Sequence, residues 1–304
     1  MNKLAFLGLA SFCTIALAAD NPSTPGVDVG MVVTAEAVHG KVLPALAAQD
    51  FTAHEGHNRL PVSRVVALQG EHAGLELFLL VDDSSSYTFG SQLADVRKFI
   101  ASQPATTAIG VGYMRNGDVT VLQNPTTDHS VAAHALRLPL SNPGVIASPF
   151  LALSDLIKRW PASPQRHEVV MFSSGVDPLG GALVNPYLDA AIQDAQRSGV
   201  IVYTVYTPGA GHVGHSYFRM NWGQNHLAQL SEETGGESYF LGFGAPVTVA
   251  PYLASVSEHL SHQFLVTFAP RAEQKGRFES VKFSTEVPNV ELVSASKVYV
   301  PASK

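Results

Sequence analysis

Leu75-Glu76-Leu77-Phe78-Leu79-Leu80-Val81, followed without a break by Asp82-Asp83-Ser84-Ser85-Ser86, is the stretch that decides the fold. The first seven residues have the length and nearly continuous apolar character of a strand covered on both faces. The next five are all hard-oxygen residues, so the chain passes abruptly from a dry environment to a polar turn.

Downstream, strand and helix signals alternate. Helices are predicted over 91–102, 128–138, 149–160, 186–198, 225–234 and 250–261. Between them lie strand-like runs at 108–114, 119–122, 168–172, 200–206 and 237–241, with Asn116-Gly117 as a hairpin turn. Ser148-Pro149 has the form of an N-cap followed by a first helical residue, and Gly199 and Gly235-Gly236 stop two helices. This order predicts an α/β fold over residues 71–262, a doubly wound, mainly parallel sheet with helices on both faces.

Upstream, Val27, Val29, Met31 and Val33 alternate in strand fashion, and 51–68 holds further short strand-like pieces. The same period of two returns only at 264–268, at Val281 with Phe283, and at 290–300. Segments 27–70 and 263–304 are each too poor in strands to bury an apolar face alone. They are therefore expected to pack together as an accessory β unit.

Lys3 precedes an apolar run over 4–17 that ends in Ala16-Leu17-Ala18-Ala19 before Asp20, the pattern of a signal peptide over residues 1–19. The run is short of the roughly 20 apolar residues of a membrane span, and the mature chain is expected to have no transmembrane anchor. Export to the periplasm or the extracellular space follows. Cys13, the only cysteine, lies inside this run. The mature chain then has no thiol, and any metal must be held by oxygen or histidine. Without Lys3, 18 of the 19 basic residues stand against 25 acidic ones, which argues against a nucleic-acid partner.

Asp82, Ser84 and Ser86 form an Asp-x-Ser-x-Ser pattern where a doubly wound sheet binds ligands, beyond the carboxyl end of a strand. One carboxylate, two hydroxyls and retained waters suit Mg²⁺ or Mn²⁺, and a partner carboxylate can fill an open position. A polar strand-to-helix turn explains the same pentapeptide without metal. His212-x-x-His215, with His226 nearby, is the other constellation: a transition-metal site, a hydrolase centre, or a surface loop. A Gly-x-Ser-x-Gly elbow is absent, and Gly110-Val111-Gly112 and Gly242-Phe243-Gly244 lack the context of a nucleotide loop. Tyr217, Phe218, Trp222, Tyr239, Phe240 and Phe243 concentrate aromatics late in the chain and are expected mostly in the core.

The run from Leu79 to Ser86, with Val169-Val170-Met171-Phe172-Ser173-Ser174-Gly175-Val176-Asp177, resembles the von Willebrand factor A superfamily, and within it exported bacterial proteins described as VWFA-related. Leu46 to Phe51 with Glu55-Gly56, Leu230 to Gly236, and the ending Val298-Tyr299-Val300-Pro301 extend the resemblance over nearly the whole mature chain. It implies a von Willebrand factor A-like fold and a metal-ion-dependent adhesion site. Carried over position by position, the metal ligands fall on Asp82, Ser84, Ser86, Ser148 and Ser174. Ser148 is equally an N-cap, and Ser141 is the alternative if the loop aligns differently. Ser174 departs from the family, which has aspartate there, and the loss of one carboxylate weakens the hold on Mg²⁺ or Mn²⁺; Asp83 and Asp177 are candidates to compensate, and His212 and His215 to form a rim. The function implied is an exported, non-catalytic adhesion or protein-binding module for a macromolecular partner. A metal-independent envelope scaffold and a hydrolase using His212, His215 and His226 are the alternatives.

The exported chain should begin near Ala19 or Asp20. Mass spectrometry of protein secreted from a bacterial host checks this, and retention of residues 1–18 in the exported form would overturn it.

Overall fold

The computed structural model describes residues 27–38, 41–141, 148–181, 184–209, 216–270 and 275–302; the signal-peptide segment and the His212/His215 pair lie outside them. The chain opens with β1 (Val29–Ala37), β2 (Thr52–Glu55), β3 (Asn58–Leu60) and β4 (Val62–Ala67). Next come β5 (Leu75–Asp82), α1 (Leu93–Ser102), β6 (Thr107–Arg115), β7 (Asp118–Thr126), α2 (His129–His134) and α3 (Pro149–Arg159). They are followed by β8 (Arg166–Ser173), α4 (Pro186–Ser198), β9 (Ile201–Tyr206), α5 (Tyr217–Thr234), β10 (Ser238–Tyr239) and α6 (Ala250–Ser261). The chain closes with β11 (Gln263–Phe268), β12 (Arg277–Ser280), β13 (Lys282–Ser284), β14 (Val290–Ser294) and β15 (Lys297–Val300).

The central sheet has the order β10-β9-β8-β5-β6-β7. Its strands are parallel except β7, which turns back on β6 through Asn116 and Gly117, both at positive φ (54° and 75°), as a tight hairpin requires. Strand order reverses at β5, the switch point of a doubly wound sheet. Residues along β5 alternate between two cores. Leu77, Leu79 and Val81 pack with Val96 and Phe99 of α1 and Val256 of α6. Phe78 and Leu80 pack with Phe150 and Leu153 of α3, Ala191 of α4 and Leu227 of α5. Burying each such large side chain contributes about 1.5–3 kcal/mol, which is why the run from Leu77 to Val81, buried on both faces, is apolar throughout, whereas Glu76 near the strand's start is half-buried.

The terminal segments meet as expected. β1 lies between β11 and β14, and β4 flanks β11, giving an antiparallel sheet of order β14-β1-β11-β4. β13 pairs with β2, again joining the two ends of the chain. Their shared core includes Val33, Phe51, Val266, Phe268 and Phe283. A buried polar link ties this unit to the central sheet: Gln263 Nε2 donates to Glu168 Oε2 and to Tyr203 Oη, both at 3.2 Å, and Arg166 pairs with Glu168 at 3.1 Å.

Three local expectations need correction. α5 begins at Tyr217, not near Asn225, because the Ser216 hydroxyl caps the Arg219 amide and two mostly polar and aromatic turns precede the apolar periodicity. α2 ends at His134, well before 138, since Arg137 turns back toward Asp83 and Pro139 cannot continue a helix. The stretch before α1 starts as a 3-10 turn, Tyr87–Gln92.

Glycines mark two close approaches. A Cβ on Gly110 or Gly112 would lie 2.6 or 2.8 Å from the Phe78 ring, so the Gly-Val-Gly of β6 is packing space. In the second, backbone meets backbone: a Cβ on Gly223 of α5 would lie 2.2 Å from the Ser174 carbonyl oxygen, and one on Gly175 2.1 Å from that of Gly223. Gly223→Ala raises helix propensity, yet it is expected to destabilise the protein by about 1–3 kcal/mol through overpacking. Urea unfolding checks this, and an unchanged or higher midpoint would contradict the contact.

Candidate metal site at the carboxyl edge

Asp82 is the last residue of β5 and is fully buried. It shares strand parity with Phe78 and Leu80, so its side chain belongs to the face covered by α3, α4 and α5. Ser173, at the end of β8, has the parity of Val169 and Met171 and reaches the same face. The two meet: Ser173 Oγ donates to Asp82 Oδ2 at 2.9 Å. Asp82 Oδ1 accepts from the Ser84 amide at 2.8 Å and from Ser84 Oγ at 2.6 Å. Burial pushes the Asp82 carboxyl above its ordinary value; the bonds from Ser84 and Ser173 pull it down, and the neighbouring charge of Asp83 adds to the rise.

The loop is clamped from two sides. Ser85 Oγ lies 2.9 Å from Thr207 Oγ1, and the Ser86 amide donates to the Pro208 carbonyl at 2.9 Å. From the other side, Ser141 Oγ donates to the Ser85 carbonyl at 2.7 Å. Ser141 thus serves the loop as a clamp. Ser86 Oγ accepts from the Thr88 amide at 3.4 Å, capping the 3-10 turn.

Asp83 and Asp177 do not face Asp82. Asp83, in the turn that begins where β5 ends, forms a bidentate pair with Arg137, at 2.7 and 2.9 Å, while also accepting from the Leu140 amide at 3.0 Å. Arg137 in turn lies 3.9 Å over the Tyr113 ring, and Tyr113 Oη donates to its carbonyl at 2.6 Å. Asp177 accepts from the Leu179 amide at 3.0 Å and from Asn185 Nδ2 at 3.3 Å, next to the cap of α4. Both carboxylates are therefore committed to holding loops. Ser174 is turned onto its own loop, its Oγ accepting from the Val176 amide at 3.3 Å.

Ser148 differs from an ordinary N-cap. It precedes α3, but its hydroxyl caps nothing and has no hydrogen-bond partner among the described residues, although the residue is fully buried. Its backbone is left-handed, φ 39° and ψ 69°, and Ser141 on the far side of residues 142–147 is also at positive φ, 51°. Such conformations are rare for serine and concentrate at functional sites. Ser148 leads into Phe150, which packs with Leu80, Met171 and Tyr206 on the face to which Asp82 belongs.

The donor set is oxygen throughout: the Asp82 carboxylate and the hydroxyls of Ser84, Ser86 and Ser148. That chemistry fits a hard divalent cation, with one negative charge to hold it. Among the described residues no group of three or more His, Asp or Glu side chains is placed to hold a metal. His226, on α5, has its ring 5.8 Å from Phe150 in edge-on contact.

Ser173 is the site residue that the residue-by-residue reading of the ligand set omitted. Its signal was present: two buried parallel strands in register, Val81 opposite Phe172, bring the next residues of each together. A second correction concerns the aromatics. Tyr217 and Phe218 are 72% and 76% exposed and Phe240 is exposed as well; Trp222 and Phe243 are half-buried, so that of the six only Tyr239 is core. Tyr217 and Phe218 open α5 at the carboxyl edge, where Tyr87 follows β5, Val184 follows β8 and Leu241 follows β10, all exposed. Among the described residues no helix is long and apolar enough to cross a membrane.

No family model matches the sequence, and no curated protein does. Solved structures show distant likenesses. An aerotolerance-related membrane protein from Bacteroides fragilis is 13% identical, with 62% of this chain and 98% of that one covered at a TM-score of 0.46. BatB from Bacteroides thetaiotaomicron gives the same values, 13%, 62%, 98% and 0.46. The ArnB paralog VWA2 from Sulfolobus acidocaldarius is 9% identical, with 90% of this chain and 76% of that one covered at 0.41. The fold rests on the chain's own strand order rather than on these scores. The central part is a doubly wound α/β sheet with one antiparallel edge strand and the Asp-x-Ser-x-Ser loop at its switch point, the architecture that the resemblance to von Willebrand factor A-like proteins implies, and it is joined to an antiparallel β unit built from both ends of the chain.

Proposed function

We propose that this chain is a non-catalytic binding module that offers the carboxyl edge of its central sheet to a macromolecular partner, with Mg²⁺ or Mn²⁺ held weakly at Asp82. Ser148 carries the proposal. A buried hydroxyl without a partner costs about 1–3 kcal/mol, and a ligand that takes its lone pair recovers that cost. Asp82, Ser84, Ser86 and Ser148 would hold the ion, with Ser174 contributing no charge, and the ion would supply a point of attachment for a partner oxygen. The exposed Tyr87, Val184, Tyr217, Phe218 and Leu241, all at this edge, favour a macromolecule, since large apolar side chains left exposed around a site suit an interaction surface. Export to the periplasm or beyond belongs to the same reading and rests on the signal-peptide pattern of residues 1–19.

A metal-free scaffold is the second reading, and one observation favours it: both Asp82 oxygens already accept hydrogen bonds, from Ser84 and Ser173, so the loop is complete without an ion.

Calorimetry with Mg²⁺ and Mn²⁺ separates the two. Weak binding is expected, abolished by Asp82→Ala, reduced by Ser148→Ala, and tightened about tenfold or more by Ser174→Asp, equivalent to about 1.4 kcal/mol. No heat with either ion supports the scaffold. If Asp82→Ala leaves the affinity unchanged, the ion is bound elsewhere and the His212/His215 segment becomes the better candidate.

Proton linkage gives a further expectation. The folded pKa of Asp82 is raised, so the native state holds this proton more tightly than the unfolded chain does. Stability falls as pH rises from the ordinary carboxylate range through the raised value, because the charge must then be buried. Asp82→Asn should therefore raise the melting temperature at neutral pH, and the gain should shrink as the pH approaches the ordinary carboxylate range, where the wild-type group is protonated in both states. Thermal melts across pH check this; a variant less stable than wild type at neutral pH would count against the buried charge.

A further inference from the structure

At the opposite, amino edge of the central sheet, a cleft of about 960 Å³ opens against the β14-β1-β11-β4 sheet. Its lining is mixed, with apolar stretches at Val32, Val66 and Leu265 on one side and Ile157, Trp160 and Val200 on the other, between polar and charged residues. Three cationic side chains line it as well, Arg64, Arg197 and Lys297, all on exposed residues and none with a carboxylate partner among the described residues. Arg197 stands 4.1 Å over the Tyr299 ring and 5.1 Å over Phe278, a stacked posture that fixes the guanidinium plane and leaves its edge N–H groups to donate. Arg166 also lines the cleft, but it is engaged by Glu168 and by the carbonyls of Leu68 and Leu260. Glu71 is the one acidic residue among the described residues lining the space. Lys297 additionally borders a smaller cavity of about 270 Å³ that holds Asp189 and Glu233, so the charge argument rests chiefly on Arg64 and Arg197.

The whole chain carries 19 basic and 25 acidic residues, a net charge of −6. Unpaired cations gathered in one cleft of an acidic protein repel one another unless an anion joins them. The apolar stretches call for an apolar body attached to that anion, and the volume lies within the roughly 300–1,000 Å³ of small-molecule sites. We infer that the amino-edge cleft is a binding site for an amphipathic anion, an extended apolar chain ending in a carboxylate or phosphate held by Arg64 and Arg197. The site is independent of Asp82 and lies at the other end of the strands.

Trp160 lines the cleft and Trp222 does not, so Trp222→Phe leaves Trp160 as the sole tryptophan reporter among two in the chain. Titrating the full-length variant with dodecanoate or dodecyl phosphate, each below its micellar concentration, should change Trp160 fluorescence saturably. The tighter of the two identifies a free carboxylate or a phosphate head as the source of the anion. Inorganic phosphate should bind at least about tenfold more weakly, and dodecyltrimethylammonium should not compete. Arg64→Gln with Arg197→Gln should weaken dodecanoate binding about tenfold or more while the fold is retained, with any fall in melting temperature limited to the lost contact of Arg197 with Tyr299 and Phe278. Equal binding of the cationic detergent, inorganic phosphate as tight as dodecyl phosphate, or no loss in the double arginine variant would each overturn the assignment.

Discussion

Asp82 ends a strand covered on both faces, and the need to keep its carboxylate hydrogen-bonded in a space that water does not reach organises the carboxyl edge. Three donors meet the two oxygens, two from Ser84 and one from Ser173. For Ser173 to be there, β8 must run parallel to β5 and in register with it. For Ser84 to fold back, the loop after β5 must be pinned, which Thr207, Pro208 and Ser141 do from either side. The backbone approach of Gly175 and Gly223 then locks the loop after β8 onto α5. One buried charge thus draws in three strands' ends and a helix.

Much of this was legible before any coordinates. β5, the Asn116-Gly117 hairpin, the Pro186 start and the Gly199 stop of α4 follow from patterns in which local preference and tertiary demand agree. The pairing of the chain ends was legible because neither end has strands enough to close a core of its own. The failures fall where tertiary context decides. The first turns of α5 carry Tyr217 and Phe218 outward, and no periodicity marks a helix whose leading turns have little core to face. Ser148-Pro149 reads as a cap by residue type alone, but the left-handed backbone at Ser148 takes the hydroxyl away from the helix amides. That conformation cannot be read from two residues.

Partner commitment explains why the second carboxylate is not replaced by the nearest acid. Asp83 follows Asp82 directly, in the turn that begins where β5 ends, but it is consumed by Arg137 and the Leu140 amide. Breaking that pair would leave a charge buried without compensation, which costs far more than a surface pair is worth. Asp83 is therefore fixed as a clamp for the segment leading to Ser148, and adjacency in sequence gives it no share in the chemistry at Asp82.

The two edges of the sheet divide the molecule's charge in a way that bears on what each can bind. At the carboxyl edge only Asp82, of the buried carboxylates among the described residues, is left without a cationic or loop-holding partner, and exposed apolar side chains such as Tyr217 and Phe218 stand at the same edge. On the proposed reading, one charge cannot hold a divalent ion tightly, so the apolar rim has to supply most of the association energy, at roughly 25 cal/mol per Å² of apolar surface removed from water. Metal and partner then stabilise each other, because a partner oxygen completes the coordination that Ser174 leaves short of charge, and by linkage each raises the other's affinity by the same factor. At the amino edge the arrangement is inverted: exposed cations and half-buried or buried apolar side chains line one cleft, which on the inferred reading suits an apolar chain with an anionic head. A domain of this topology can carry both without conflict, since the length of β5 separates them and the two faces of the strand are filled by unrelated helices.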